Sequence, residues 1–327
     1  MFSLFLLALF MTISIVIAEP TFYLTQVVRG NDFFDAFKWE TFDDPTHGRV
    51  NYVDQDTAKA NNLSYASPDN STFVMRADSS TVVPSYARGR DSVRISSWAS
   101  HAQSLMILDL QHMPVGCGTW PAFWTLSKDG PWPQGGEIDI IEGVNMNCDN
   151  LASLHTTEDC TMPDTRAQRG YTVSSDCNAA VNSNQGCGTS FTQPFSYGTG
   201  FNQIGGGYFA MSKDDINGVR VWFWPRNSSS IPAEVIQPSN FVQIRTDNWG
   251  SPDASFPVDR CGYDAHFLGE HITVFDITFC GDWAGSAFAT SGCGPSTCEQ
   301  YVESTPAAFS EAYWEINTLY IYDRCND

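Results

Sequence analysis

Charge is what this chain has little of. Asp, Glu, Lys and Arg make up 17 % of its 327 residues, against roughly a quarter in an ordinary globular protein. The charge present leans one way: 17 Lys and Arg face 37 Asp and Glu, a formal net charge of −20. That balance excludes nucleic acid as a partner, because neutralising a phosphate backbone needs clustered cations. An anionic membrane surface is excluded by the same repulsion. No Cys-x-x-Cys pair occurs, which removes the common zinc frameworks. The Gly-x-Ser-x-Gly elbow, the His-Glu-x-x-His helix and the phosphate-binding Gly-x₄-Gly-Lys loop are also missing, and their chemistries with them. Long amphipathic helical patterns, linkers, repeats and low-complexity blocks are lacking too.

The only long apolar run opens the chain, from Met1 to Ala18, with Val16 and Ala18 at the −3 and −1 positions of a cleavage site before Glu19. This pattern predicts a signal peptide over 1–18, a secreted, extracellular protein, and one domain over 19–327. Ten cysteines agree with export and allow up to five disulfides. Spacing leaves their connectivity open; Cys177 with Cys187 and Cys293 with Cys298 are the shortest closures. Sequons at Asn62, Asn70 and Asn227 add expected glycosylation sites. The C-terminus is polar and carries no anchor signal.

Aromatics, by contrast, reach 13 %, suited to stacking on neutral, hydroxyl-rich material. Short β-branched and aromatic runs recur, among them 73–76, 92–95, 105–108, 122–126, 207–211, 219–224, 272–275 and 318–322, punctuated by Gly, Pro, Asn and Asp. Such a chain predicts an all-β fold of two packed antiparallel sheets. Asp214-Asp215-Ile216-Asn217-Gly218 predicts a hairpin, with Asn-Gly supplying positive φ. It lacks the acidic spacing of a calcium loop.

The segment Gly135-Gly136-Glu137-Ile138-Asp139-Ile140-Ile141-Glu142-Gly143 carries the chemistry. On a strand, Glu137 and Asp139 share a face while Ile138 turns inward. Glu142 would fall on the wrong face unless one extra residue, a β-bulge at Ile140-Ile141, restored it. Three acids on one face of an otherwise apolar strand repel one another and serve no folding purpose. Paired carboxylates are what glycosidic hydrolysis requires, one as nucleophile and one as acid/base. Mutual repulsion raises one pKa and keeps that group protonated beside an ionised neighbour, which points to an acidic optimum. Trp120, Trp124 and Trp132 lie close by in sequence as candidate sugar-stacking floors. The reaction calls for no cofactor and no metal.

Glu137-Ile138-Asp139-Ile140-Ile141-Glu142 resembles the E-x-D-x-x-E signature of glycoside hydrolase family 16 in its laminarinase-like, bulge-containing form. The likeness extends to Cys117-Gly118-Thr119-Trp120-Pro121-Ala122-Phe123-Trp124, Leu154-His155-Thr156-Thr157, Phe279-Cys280-Gly281-Asp282-Trp283-Ala284-Gly285 and Ala312-Tyr313-Trp314-Glu315-Ile316. It covers nearly the whole chain after residue 18 and is strongest toward fungal endo-1,3(4)-β-glucanases. The resemblance implies a β-jelly-roll sandwich with a sugar cleft across its concave face. It implies Glu137 as nucleophile, Glu142 as acid/base and Asp139 as the assisting carboxylate. His155 is implied beside the catalytic strand, although a hydrogen-bonded sheet histidine would look the same in sequence. Arg94 and Trp249 resemble cleft residues. The expected activity is retaining endo-hydrolysis of β-1,3- or mixed β-1,3/1,4-glucan of the laminarin or lichenan type, by a monomer. A transglycosylase or a non-catalytic glucan binder of the same fold is the alternative. The Lys213-Asp214-Asp215 stretch departs from the more apolar pattern of the family.

Overall fold

The computed structural model describes residues 19–262, 266–267 and 269–324. The expected signal peptide and Cys325 lie outside them. All eight β-like runs of the sequence fall on strands apart from a break at Val93, between Arg90–Ser92 and Arg94–His101. The strands build two large antiparallel sheets. One orders Gln243–Ile244, Phe22–Val28, Tyr313–Arg324, Ser104–His112, Gly207–Asp214, Gly218–Pro225 and Ala254–Phe256, with Phe73–Arg76 and Ser64–Ala66 branching from Tyr313–Arg324. The other orders Tyr171–Thr172, Cys187–Ser190, Leu151–His155, Glu137–Glu142, Thr119–Ser127, His271–Phe279, Arg94–His101 and Phe37–Trp39. A short parallel pair, Val50–Tyr52 with Arg90–Ser92, stands apart. This is the jelly-roll sandwich.

Alternation sorts the side chains. Met106, Leu108 and Leu110 of one sheet and Ile138, Ile140 and Phe275 of the other meet in the inter-sheet core. At about 25 cal/mol per Å² of apolar surface removed from water, that layer is the main source of stability. The intervening residues Leu105 and Ile107 instead join Phe22, Trp222, Trp224 and Tyr322 in a second apolar cluster on the outer face of the first sheet. The outer face of the second sheet has only a small apolar strip of Ala122, Trp124 and Val274, and it holds the acids.

The hairpin forms as expected, with Asp214 opposite Gly218, but only Gly218 takes positive φ (78°). The loop has three residues, and Asp214 Oδ1 accepts the Ile216 and Asn217 N–H groups at 3.0 and 2.7 Å. Gly218 thus supplies the positive φ of the expected turn, and the Asp214 side chain holds the loop closed.

Four disulfides link described cysteines: Cys117–Cys293, Cys160–Cys261, Cys177–Cys187 and Cys280–Cys298. Of the two shortest closures, Cys177–Cys187 forms, whereas Cys293 pairs across 176 positions with Cys117 and Cys298 pairs with Cys280. Cys148 is exposed and has no sulfur partner among the described residues. The sequons at Asn62, Asn70 and Asn227 are all exposed.

Candidate active site

The bulge is where the spacing predicted it. Against the neighbouring strand, Glu137 faces Leu126, Asp139 faces Trp124 and Glu142 faces Ala122, with the register slipping between Asp139 and Ile141. Ala122, Trp124 and Leu126 alternate along a regular strand, so they share a face. Their partners therefore share it too. Ile138, Ile140 and Ile141 are fully buried on the opposite side. A bulge leaves backbone groups without ladder partners, and a residue missed by sequence reasoning supplies them. Buried Asn150 donates from Nδ2 to the Ile140 carbonyl at 2.8 Å and accepts the Glu142 N–H at 3.1 Å. Only its place in the turn after the strand hinted at this. Gly135 and Gly136, at φ 76° and 85°, lead the chain into the strand. A Cβ on Gly136 would stand 2.4 Å from the His266 carbonyl oxygen.

Each outer acid is held by an indole. Trp120 Nε1 donates to Glu142 Oε1 at 2.8 Å, and Trp132 Nε1 donates to Glu137 Oε2 at 2.7 Å. Trp132 is 47 % exposed on its loop, whereas Trp120 meets Trp283 edge to face, with ring centroids 5.7 Å apart. Trp124 lies on the same face, directly opposite Asp139.

His155 sits opposite Glu137 on the next strand. Its Nε2 stands 3.4 Å from Asp139 Oδ2, an ion-pair contact rather than an aligned hydrogen bond, and its Nδ1 lies 2.9 Å from Asn184 Oδ1. Burial opposes its charge, but Asp139, Glu137 and Glu142 more than offset this and push its pKa to about 10. The acid cluster thus favours the charged form of His155. One atom from each of Glu137, Asp139 and His155 lies within 4.8 Å of the others, a spacing a cation would fit.

The two glutamates differ. Burial and the neighbouring Asp139 charge raise Glu137 to about 7, with His155 and the Trp132 hydrogen bond pulling the other way. Burial and Asp139 push Glu142 well above the usual carboxylate range, against the Trp120 hydrogen bond. The strip continues across the sheet from Glu142 through Ala122 and Asp276 to Arg94. The Arg94 guanidinium carbon lies 4.9 Å from the ring centroids of both Trp124 and Phe42, and Nη1 pairs with Asp276 Oδ2 at 3.4 Å. Burial raises Asp276 to about 7, partly offset by Arg94.

One expected cleft residue lies elsewhere. Trp249 is buried against Trp222 and Trp224, with ring centroids 5.4 and 5.5 Å away, on the outer face of the other sheet. The inter-sheet core separates it from the acids, so its role is packing. Trp120, Trp124, Trp132, His155 and Arg94 do converge on the acid-bearing face.

A family model described as the XgeA-like, catalytic GH16 domain matches residues 37–322. A probable glycosidase of Schizosaccharomyces pombe is 41 % identical over 306 residues, covering 92 % of this chain and 69 % of the relative. A probable endo-1,3(4)-β-glucanase of Aspergillus niger is 40 % identical over 313 residues, 93 % of this chain but 40 % of the relative. The chain thus spans less than half that relative's length. The structure of Laminarinase 16A from Phanerochaete chrysosporium, with β-glucans in donor and acceptor sites, aligns with TM-score 0.88 at 44 % identity, covering 93 % of this chain and 100 % of that one. An elongating family 16 β-1,3-glucosyltransferase aligns with TM-score 0.83 at 35 % identity, covering 92 % and 99 %. With its three acids on one face of a bulged strand and a matching family model across most of its length, the chain belongs to glycoside hydrolase family 16.

Proposed function

We propose that this domain hydrolyses β-1,3- or mixed β-1,3/1,4-glucans from within the chain, with retention of anomeric configuration. The observation that carries this reading is the pair of glutamates brought to one face by a bulged strand, each gripped by a tryptophan. Glu142, whose charged form is disfavoured by burial and by the Asp139 charge, is the acid. Its Oε1 accepts from Trp120, so the transferable proton sits on Oε2. Glu137 is the nucleophile, with Oε2 held by Trp132 and Oε1 free to attack the anomeric carbon. Asp139 and His155 set the charge around Glu137. Glu142, now ionised, then takes a proton from the water that releases the glycosyl-enzyme. The indoles on this face offer stacking surfaces to the sugar rings.

Transfer to a second sugar is the specific rival, favoured by the likeness to the elongating glucosyltransferase. Both outcomes share the first half-reaction. Four disulfides support action outside the cell, where thiols stay oxidised. A monomer suffices for this chemistry. Digests of laminarin, lichenan, cellulose, xylan and agarose with product sizing test the reading. Internal cuts in laminarin or lichenan are expected. Products longer than the substrate would assign transfer, and an intact laminarin and lichenan pair would overturn the proposal.

A further inference from the structure

On the flank of the acid-bearing sheet, strand Arg94–His101 leaves regular pairing. Ser96 faces Val274 and Ser100 faces Ile272, so four residue steps on one strand oppose two on its neighbour. Ser97 closes the extra length, its Oγ accepting the Thr273 N–H at 2.9 Å and donating to the Ala99 carbonyl at 2.6 Å. At the tip of this bulge Trp98 is 67 % exposed.

The register says which side the indole occupies. Ser96 lies in the row Asp139, Trp124, Val274, Ser96, and edge-strand Lys38 is its partner. Residues in one such row share a face, so Lys38 stands on the acid-bearing side. Lys38 Nζ lies 5.8 Å from the Trp98 ring centroid, which places the indole on that side too. Phe42, 44 % exposed, covers Arg94 of the same strand. A polar row shares this side: Lys38 pairs with Glu40 at 2.9 Å, and Ser96 Oγ donates to the same carboxylate.

A single exposed indole is unremarkable on a protein surface. Here, however, a bulge lifts it, a second exposed aromatic, Phe42, covers Arg94 on the same strand, and the polar groups of Lys38, Glu40 and Ser96 lie on that face in register with the acids. From Asp139 to Ser96 is three strand spacings, about 14 Å. That is too far for the reacting sugar but within reach of later rings of the same chain.

Building on the β-glucan reading, we propose that Trp98 and Phe42 form a distal platform that grips outlying sugar rings and sets a preference for long glucan chains. Trp98→Ala, Trp98→Tyr and Phe42→Ala are compared with wild type on a ladder of β-1,3-gluco-oligosaccharides, by kcat/KM and by calorimetric binding in the Glu137→Gln background. Loss of one stacking contact, about 0.5–1.5 kcal/mol, corresponds to a roughly 2–12-fold fall in the long-over-short ratio of kcat/KM. The fall is expected to appear in KM and to be restored largely by Trp98→Tyr. A length-independent effect, an unchanged ratio, or a wild-type dimer that Trp98→Ala converts to monomer overturns the platform while leaving the functional reading intact. Wild type that neither binds nor cleaves β-glucan overturns both.

Discussion

Asn150 and Glu142 are joined side chain to backbone: Asn150 Oδ1 accepts the Glu142 N–H at 3.1 Å, while its Nδ2 donates to the Ile140 carbonyl at 2.8 Å. One amide therefore satisfies both groups that the bulge removes from the ladder, and so fixes where Glu142 points. Asn150→Ala leaves two buried backbone groups unpaired, at about 1–3 kcal/mol each. Chemical denaturation should show a loss of about 2–6 kcal/mol, and laminarin cleavage should fall further than stability alone explains. An unchanged kcat would show that the bulge holds itself.

The two glutamates should separate by leaving group. Glu137→Gln and Glu142→Gln are each expected to lower laminarin turnover about 10²–10⁴-fold, with circular dichroism unchanged. A 2,4-dinitrophenyl glycoside, whose leaving group departs as a stable anion without a proton, should recover the first step in Glu142→Gln and not in Glu137→Gln. The reverse pattern would exchange their roles.

The pH profile has two limbs with separate causes. Cleavage requires Glu137 ionised and Glu142 protonated, so kcat/KM rises as Glu137 loses its proton and falls when Glu142 does. The His155 charge and the Trp132 hydrogen bond hold Glu137 down, so His155→Gln should shift the acid limb upward by ~1 unit. The Trp120 hydrogen bond favours ionised Glu142, so Trp120→Phe should move the basic limb to higher pH. A downward shift in either variant would contradict these electrostatics. With Glu137 raised to about 7, the acid limb should lie nearer neutrality than the paired carboxylates alone suggest.

Stability should report the same strain. Glu137 titrates at about 7 in the folded protein against an ordinary value of 4.5. The fold thus favours its neutral form, and ionisation costs stability above pH 4.5, increasingly up to about 7. Glutamine is neutral throughout. The Tm of Glu137→Gln should match wild type near pH 4 and exceed it by a few degrees at pH 8. A constant offset would assign the effect to packing.

The Cys280–Cys298 bridge closes a short loop, with a sequence separation of 18, over the segment that sets Trp283 against Trp120. Replacing both cysteines by serine should cost about 3 kcal/mol and lower turnover through Trp120. Full activity at reduced Tm would confine the bridge to stability.

Strand periodicity is a local property, so the amino-acid order alone determined the all-β class, the eight apolar runs and the face of Glu137 and Asp139. It also called for a bulge before Glu142, since only an extra residue returns an odd-spaced acid to the face of the others. Contacts between distant segments were decided only in three dimensions. Trp120 and Trp132 reach the acids because register and loop carry their N–H groups there, whereas Trp249, alike in sequence, is drawn into the packing of the far sheet. Cys293 bypasses nearby Cys298 for Cys117 because the folded chain, not sequence distance, sets which sulfurs meet. Asn150 grips the bulge through two hydrogen bonds whose partners lie eight and ten residues back, a pairing that exists only once the two strands have come together.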